Sequence, residues 1–112
     1  MKIAISSKEK DLNGDIADTF GRCPYFLIVE IENEKVQGFE AMKNESAEQM
    51  GKAGISAAGA IAQKDVSAVI TNNVGPRALD VLKQFNIEIY NGSGTINEVL
   101  QKFIDKKLEV IQ

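Results

Sequence analysis

The sequence predicts an α/β fold built on a mixed five-stranded sheet. Short apolar runs at residues 3–5, 66–71 and 87–90 have the length and composition of buried strands. Segments with helical periodicity separate the later runs, and strands that alternate with helices usually pair in parallel through right-handed crossovers. Two extended runs near the N-terminus add a hairpin at one edge. The most economical strand order is therefore 3-2-1-4-5, with about three helices.

The hairpin is predicted from residues 25–31 and 36–42, which are rich in aromatic and β-branched side chains. The four polar residues 32–35 between them are few enough for a tight turn, so these strands should pair antiparallel. Residues 8–18 before the hairpin are polar and contain the turn-forming sequence Asn13-Gly14-Asp15. We expect a surface loop there.

Three helices are predicted from caps and apolar stripes. Ser46 and Gln49 match a capping box, but Gly51 and Gly54 follow closely, so the first helix begins either at Ser46 or around Ala53. Pro76 suits the first position of the second helix. Each of the first two helices has a predicted apolar face. These faces are Ile55, Ala58, Gly59, Ile61 and Ala62 in the first helix, and Ala78, Leu79, Leu82 and Phe85 in the second. The third helix follows a capping box of Thr95 and Glu98.

The composition predicts a single globular domain over residues 1–112. Hydrophobic residues make up 44% of the chain and charged residues 26%, which is typical of folded domains rather than disordered ones. A net charge of −3 would repel a phosphate backbone, so we expect no nucleic-acid partner. No apolar run has the length of a signal peptide or a membrane span. We expect a cytoplasmic protein that is monomeric or weakly self-associating and that has no contact with membranes.

A ligand-binding rim is predicted at the carboxyl ends of the parallel strands, where ligands bind in open α/β sheets. Glycines there permit close backbone approach, and helix N–H groups favour an anion. The alternative is that these residues serve only as ordinary turns and caps, for which the same residue types are used. The candidate binding residues in these segments are Ser6, Gly51, Gly54, Asn72, Asn73, Gly75, Ser93 and Gly94.

The segment Gly21-Arg22-Cys23 adds the remaining candidates. Cys23 is the one cysteine, and the chain has no histidine, so Cys23 is the one soft metal ligand of high affinity. Because a cation precedes it, we expect an exposed thiol with a lowered pKa that could bind metal. The alternative is a small buried residue without chemistry.

Three motifs resemble the dinitrogenase iron-molybdenum cofactor biosynthesis family. They are FGRCPYF at residues 20–26, GKAGISAA at residues 51–58 and VITNNVGP at residues 69–76, and Gly94-Thr95 before the last helix is also similar. The resemblance implies a ribonuclease H-like fold with three layers. It also implies a carrier or assembly protein that binds iron-molybdenum cofactor, its iron-sulfur precursor or a related iron-sulfur species, and that contacts cofactor-assembly proteins.

The chain departs from this family in its ligands. Cofactor-binding members are expected to use cysteine or histidine, whereas this chain offers Cys23 alone. One thiolate cannot supply the four that ordinary cubane clusters use. A bound cluster would be anchored weakly, shared between chains, or held by the rim through its sulfides.

Three other functions compete with a carrier. A ribonuclease H-like nuclease would need carboxylates at the strand ends, but residues 71–73 are Thr-Asn-Asn, so we expect no catalytic activity. A Cys23 nucleophile would also lack an evident base. A small-anion or nucleotide-binding module would use the same glycine-rich rim without metal. A self-assembling structural protein would use the exposed edge strand at residues 36–40.

Overall fold

The computed structural model describes residues 1–48 and 51–111 and confirms the predicted three-layer α/β, ribonuclease H-like architecture. The sheet has the order β3-β2-β1-β4-β5-β6, in which β1, β4 and β5 are parallel and the other neighbours are antiparallel. The predicted order 3-2-1-4-5 is thus correct. The elements are β1 Lys2–Ser7, β2 Tyr25–Glu32, β3 Lys35–Lys43, α1 Ala53–Ala62, β4 Ala68–Thr71, α2 Pro76–Gln84, β5 Glu88–Asn91, α3 Ile96–Ile104 and β6 Glu109–Val110.

The central strand β1 divides the core into two halves because its side chains alternate between the faces of the sheet. Ala4 packs against the layer that contains α1 and α2, while Ile3 and Ile5 pack against α3 on the other face. All three side chains are fully buried. Strand β1 is therefore apolar on both faces, as its continuous apolar run predicts.

The hairpin of β2 and β3 is confirmed, with a two-residue turn at Asn33 and Glu34. Both residues have positive φ, 53° and 64°, which is the backbone pattern that matches the twist of paired strands. Strand β3 contains a bulge: Glu30 pairs with Gly38 and Ile31 with Val36, so Gln37 has no partner in the register.

Helix α1 begins at Ala53 rather than at Ser46. Ser46 lies in a turn before the helix, and Gln49 lies outside the described residues. The buried side chains of α1 are Ala53, Ala57, Ala58 and Ile61, whereas Ile55, Gly59 and Ala62 of the predicted stripe are only half-buried. The small residues still allow the close approach of helix and sheet that the sequence predicts.

Phe85 is an incorrect prediction for the apolar face of α2. The helix ends at Gln84, and Phe85 at the C-cap leaves 58% of its surface exposed, while Ala78 and Leu82 are buried as expected. The capping box of α3 is confirmed, because Thr95 Oγ1 accepts a hydrogen bond from the Glu98 backbone and Glu98 Oε1 accepts one from the Thr95 backbone.

Strand β6 was not predicted. It has two residues and pairs antiparallel with β5 through Tyr90 and Val110. A two-residue strand is too short to produce an alternating pattern in the sequence. Among residues 1–48 and 51–111 no helix is long and apolar enough to cross a membrane.

Gly92 gives a test of core packing at the end of β5. A Cβ at this position would lie 2.8 Å from Ile70 Cγ2 and 3.0 Å from Val99 Cγ1, so Gly92→Ala should lower the free energy of unfolding by about 1–3 kcal/mol. Gly59→Ala in α1 is the control, because a Cβ there meets no atom within 4 Å and alanine favours the helix by up to about 1 kcal/mol. Urea denaturation measures both, and equal stabilities would contradict the packing.

Candidate functional site

The carboxyl edge of the sheet is where two helices on the same face begin. The parallel strands β1, β4 and β5 end there at Ser7, Thr71 and Asn91. The N-termini of α1 and α2 lie side by side at this edge, since a Cβ added to Gly54 in the first turn of α1 would lie 3.3 Å from Ala78 Cβ in the first turn of α2. We call this pair of N-termini the helix rim.

Gly21 brings the loop before β2 against the helix rim. A Cβ on Gly21 would lie 2.8 Å from Gly54 Cα and 2.9 Å from Gly54 N, so no other residue fits without displacing α1. Gly51, in the turn that leads into α1, has a φ of 89° and its carbonyl accepts the Ala53 N–H at 2.7 Å. Three of the predicted glycines thus shape the start of α1.

The helix rim is uncapped. The N-cap residues are Lys52 for α1 and Gly75 for α2, and neither supplies a side-chain hydrogen bond. Within the part of the chain that the structure describes, the backbone N–H groups of Gly54, Ile55, Arg77 and Ala78 have no hydrogen-bond acceptor. Neither first turn contains an acidic residue. These donors and the two helix dipoles give the helix rim a positive potential.

The N-terminus of α3 is different because its own capping box provides hydrogen-bond acceptors for backbone N–H groups there. Glu98 places a carboxylate in the first turn, and hydrogen bonds to Thr95 lower the pKa of that carboxyl. Gly94 has a φ of 101°, and its carbonyl accepts the Ile16 N–H at 2.9 Å. Ser93 is exposed beside it, on the opposite face of the sheet from α1 and α2. The predicted rim is therefore split, and Ser93 and Gly94 lie apart from the helix rim.

Two cations at the helix rim were not predicted. Lys52 is the N-cap of α1, and Arg77 is the second residue of α2; both side chains are exposed. The signal in the sequence was their position, one residue before Ala53 and one after Pro76. Their charges add to the potential of the helix N-termini.

Ser6 is not available to a ligand. Its side chain is fully buried, and its hydroxyl donates to Thr71 Oγ1 at 2.9 Å. Thr71 in turn donates to the carbonyl of Asn73 at 3.3 Å, which also accepts the Phe20 N–H at 2.8 Å. The hydroxyls at the ends of β1 and β4 therefore serve as an internal link between strands and loops.

Asn72 and Asn73 also fix loops. Asn91 Nδ2 donates to the Asn72 carbonyl at 2.8 Å, which joins the ends of β4 and β5. Asn73 Nδ2 donates to the Asp18 carbonyl at 3.2 Å, which joins the segment before α2 to the loop before β2. These contacts hold Gly75, the N-cap of α2, in place at the helix rim.

Cys23 corrects the prediction of an exposed, acidic thiol. It leaves 1% of its surface exposed, and its Sγ donates to the Phe20 carbonyl at 3.3 Å. Burial raises the pKa of the Cys23 thiol to about 12, an effect that hydrogen bonds from the Ser7 backbone and the Asn44 side chain oppose. At neutral pH the group is a buried neutral thiol, because burial outweighs the predicted effect of Arg22.

The segment around Cys23 is held by Asn44, which was not among the predicted site residues. Asn44 is buried, and its Nδ2 donates to the carbonyls of Gly21 at 3.1 Å and Cys23 at 2.8 Å. Arg22 Nη1 donates to the Ala47 carbonyl at 3.0 Å, so its side chain points to the turn after β3. A single asparagine after a strand gives no pattern by which this role could be recognised.

Carboxylates do not form a metal site in the described residues. In the ranges 1–48 and 51–111 no group of three His, Cys, Asp or Glu side chains is close enough to hold a metal ion. Asp11, Asp15 and Asp18 are exposed in the loop before β2. The helix rim is thus the feature of the site with a distinct chemistry.

Fold and site together define a class of protein: a small three-layer α/β domain with paired, uncapped helix N-termini at the carboxyl edge of its sheet. A family model described as dinitrogenase iron-molybdenum cofactor matches residues 1–106. The chain belongs to the dinitrogenase iron-molybdenum cofactor family, which confirms the resemblance of the three motifs.

Relatives and solved structures agree with this family. An uncharacterised protein of Methanocaldococcus jannaschii is 38% identical over 110 residues, which are 97% of this chain and 90% of the relative. The apo form of the orange protein from Desulfovibrio gigas has a TM-score of 0.90 at 27% identity, over 97% of this chain and 91% of that chain. A Thermotoga protein of the DUF35 family has a TM-score of 0.83 at 31% identity, over 98% of this chain and 92% of that chain.

The buried thiol predicts a loss of stability at alkaline pH. Because the pKa of Cys23 is raised from 9.0 to about 12 on folding, the contribution of the neutral thiol to the free energy of unfolding is fully present below pH 9 and is lost as the pH rises towards 12. Within that range the free energy of unfolding of the wild type should fall by about 1.4 kcal/mol per pH unit relative to that of Cys23→Ala.

Denaturation of both proteins at about pH 8 and about pH 10, under reducing conditions, measures this difference. The alanine variant serves as the control, since lysines and tyrosines titrate equally in both. A difference that stays constant with pH would show that Cys23 is not buried as a neutral thiol.

Proposed function

We propose that the chain is a non-catalytic carrier or storage protein for an anionic metal-sulfur cargo, an iron-molybdenum type cofactor or its iron-sulfur precursor. The single observation that carries the proposal is the helix rim, where four backbone N–H groups have no acceptor among the described residues and no acidic residue occupies either first turn. Membership of the dinitrogenase iron-molybdenum cofactor family supports the kind of cargo.

The helix rim would bind the cargo through its sulfides. Each helix N-terminus carries about half a positive charge, and its N–H groups point outward along the axis. Sulfide ligands of an anionic cluster can accept those hydrogen bonds without displacing any protein ligand. Lys52 and Arg77 flank the donors and add two full positive charges.

The cargo would arrive preformed. Cys23 is a buried neutral thiol, and the chain has no histidine. Four thiolates hold an ordinary cubane cluster, so this chain lacks the ligands to assemble one. Our proposal therefore assigns no metal bond to Cys23. Cofactor-assembly proteins would deliver the cargo and receive it.

A cargo held by backbone donors can be released without breaking a metal–ligand bond. Neutral N–H groups and flanking cations make no covalent bond to the metal, so exchange requires only hydrogen bonds to break. This suits a carrier better than a catalyst. A small phosphate or nucleotide could use the same donors.

Gly75→Asp should weaken cargo binding without harming the fold. A Cβ at Gly75 meets no atom within 4 Å, and the backbone is extended, as N-cap aspartates require. The carboxylate would cap α2 and raise the free energy of unfolding by a few tenths of a kcal/mol. Its negative charge would repel an anionic cluster and lower the affinity of the helix rim for that cluster by about tenfold or more. Anaerobic incubation with ferrous iron and sulfide, followed by gel filtration and absorbance, measures the protein-bound chromophore.

Gly75→Ala is the matched control, because a Cβ at Gly75 meets no atom within 4 Å and alanine neither caps the helix nor carries a charge. We expect Gly75→Ala and Cys23→Ser to keep most of the chromophore. Loss of chromophore in Cys23→Ser, with Gly75→Asp unaffected, would move the site from the helix rim to the thiol. If the wild type bound no chromophore while phosphate or a nucleotide raised its melting temperature, the anion-binding alternative would replace the carrier.

A further inference from the structure

A groove of about 650 Å³ lies on the α3 face of the sheet, at the end opposite the helix rim. Its walls are mainly apolar and come from β2, β5, α3 and the segment that leads into β6. Tyr90 and Phe103 pack edge to face in it, with ring centroids 5.2 Å apart. The apolar side chains that line it include Ile31, Tyr90, Phe103, Ile104, Leu108 and Val110.

The groove exists because α3 is short. Helix α3 has nine residues, about 14 Å, and it is the one helix on this face among the described residues. At the carboxyl edge of the sheet, Leu12 and Ile16 from the loop before β2 complete the cover. At the amino edge no described segment takes that role. The apolar face of the sheet is therefore left open there.

Most of the large apolar side chains that the structure exposes lie on this face. Met1 and Val110 line the groove and are 50% and 54% exposed. Val36 pairs with Ile31 and Phe39 pairs with Val29, and residues directly opposite in antiparallel strands share a face. Val36 and Phe39 are 37% and 44% exposed. Contiguous exposed apolar surface of this kind marks interaction sites.

Charges of opposite sign lie at the two sides of the groove. Glu34 is in the hairpin turn beside β2, and Lys106 follows α3 on the side of β5 and β6. Strands β2 and β5 are three strand spacings apart, about 14 Å. Neither Glu34 nor Lys106 has an ion-pair partner within residues 1–48 and 51–111.

We propose that this groove is a homodimer interface, occupied by the same face of a second copy of the chain. A two-fold axis through the groove would place Glu34 of each copy opposite Lys106 of the other, because an isologous contact pairs residue i with j and j with i. The apolar side chains between them would be buried against their equivalents. This acidic side, apolar centre and basic side make the surface complementary to itself.

Pairing through the edge strand β3 explains the surface less well. The bulge at Gln37 interrupts the register, and bulges protect edges from pairing. A ladder centred on Phe39 would also bring Lys35 of one copy opposite Lys43 of the other, which is repulsive. The contact is face to face.

Sedimentation velocity over micromolar to millimolar concentrations tests the proposal directly. The wild type should change from monomer to dimer, and Val110→Glu should raise the dimer dissociation constant by about tenfold or more by placing a charge among the apolar side chains of the groove. Phe85→Glu is the matched control: Phe85 is 58% exposed but lies at the end of α2 on the other face, so dimerisation should be unchanged.

Charge reversal tests the two-fold geometry. Glu34→Lys alone and Lys106→Glu alone each create two repulsive contacts and should weaken self-association about tenfold. An equimolar mixture of the two single variants should form a heterodimer, since both contacts are then attractive. The double variant should dimerise as the wild type does.

A wild type that stays monomeric at millimolar concentration would overturn the proposal. If the monomer instead bound the neutral apolar dye Nile red, with binding lost in Val110→Glu, the groove would be a small-molecule site and the dimer would be wrong. Dimerisation that is undiminished in both single charge reversals would also contradict it. None of these variants touches the helix rim, so the outcome is independent of cargo binding.

Discussion

The contact between the backbones of Gly21 and Gly54 determines the geometry of the site. It brings the loop before β2 to within van der Waals distance of the first turn of α1, and that turn already touches α2 at Ala78. The side-chain amide of Asn44 holds Gly21 in place by donating a hydrogen bond to the Gly21 carbonyl. A side chain at Gly21 would collide with the backbone of Gly54, and one at Gly54 would press on Ala78, so either would displace the helix N-termini. The donors of the helix rim thus depend on a packing contact that involves no polar group.

Cys23 depends on the same contact in a different way. The loop that brings Gly21 to α1 continues directly into the core, so the Cys23 thiol is buried two residues later. The Cys23 side chain then packs beside Phe20 and Phe26 on the α1 and α2 side of the sheet, and burial raises its pKa. The segment that the sequence predicts to be reactive therefore has a structural role, because its thiol packs in the core. Our proposal therefore places cargo binding at the backbone N–H groups of the helix rim rather than at the thiol.

The sheet order, the hairpin and the third helix could be predicted because each has a local signal. Residues 3–5 form a continuous apolar run, the two-residue turn joins two extended runs, and Thr95 with Glu98 forms a reciprocal cap. The failures concern burial and pairing. Whether Ser6 and Cys23 face a ligand or the core depends on neighbours distant in sequence, Thr71 and Asn44. Strand β6 has two residues, and its pairing with β5 leaves no pattern in the sequence.

We propose above all that an anionic metal-sulfur species binds to the backbone N–H groups of the helix rim. Two-dimensional ¹⁵N–¹H NMR of the protein titrated with tetrathiomolybdate, a diamagnetic metal sulfide anion, tests it residue by residue. We expect the largest amide shifts at Gly54, Ile55, Arg77 and Ala78, where hydrogen bonds to sulfide would form. Shifts concentrated around Cys23, at the capped start of α3 or along the α3 groove, with the helix rim unchanged, would contradict it.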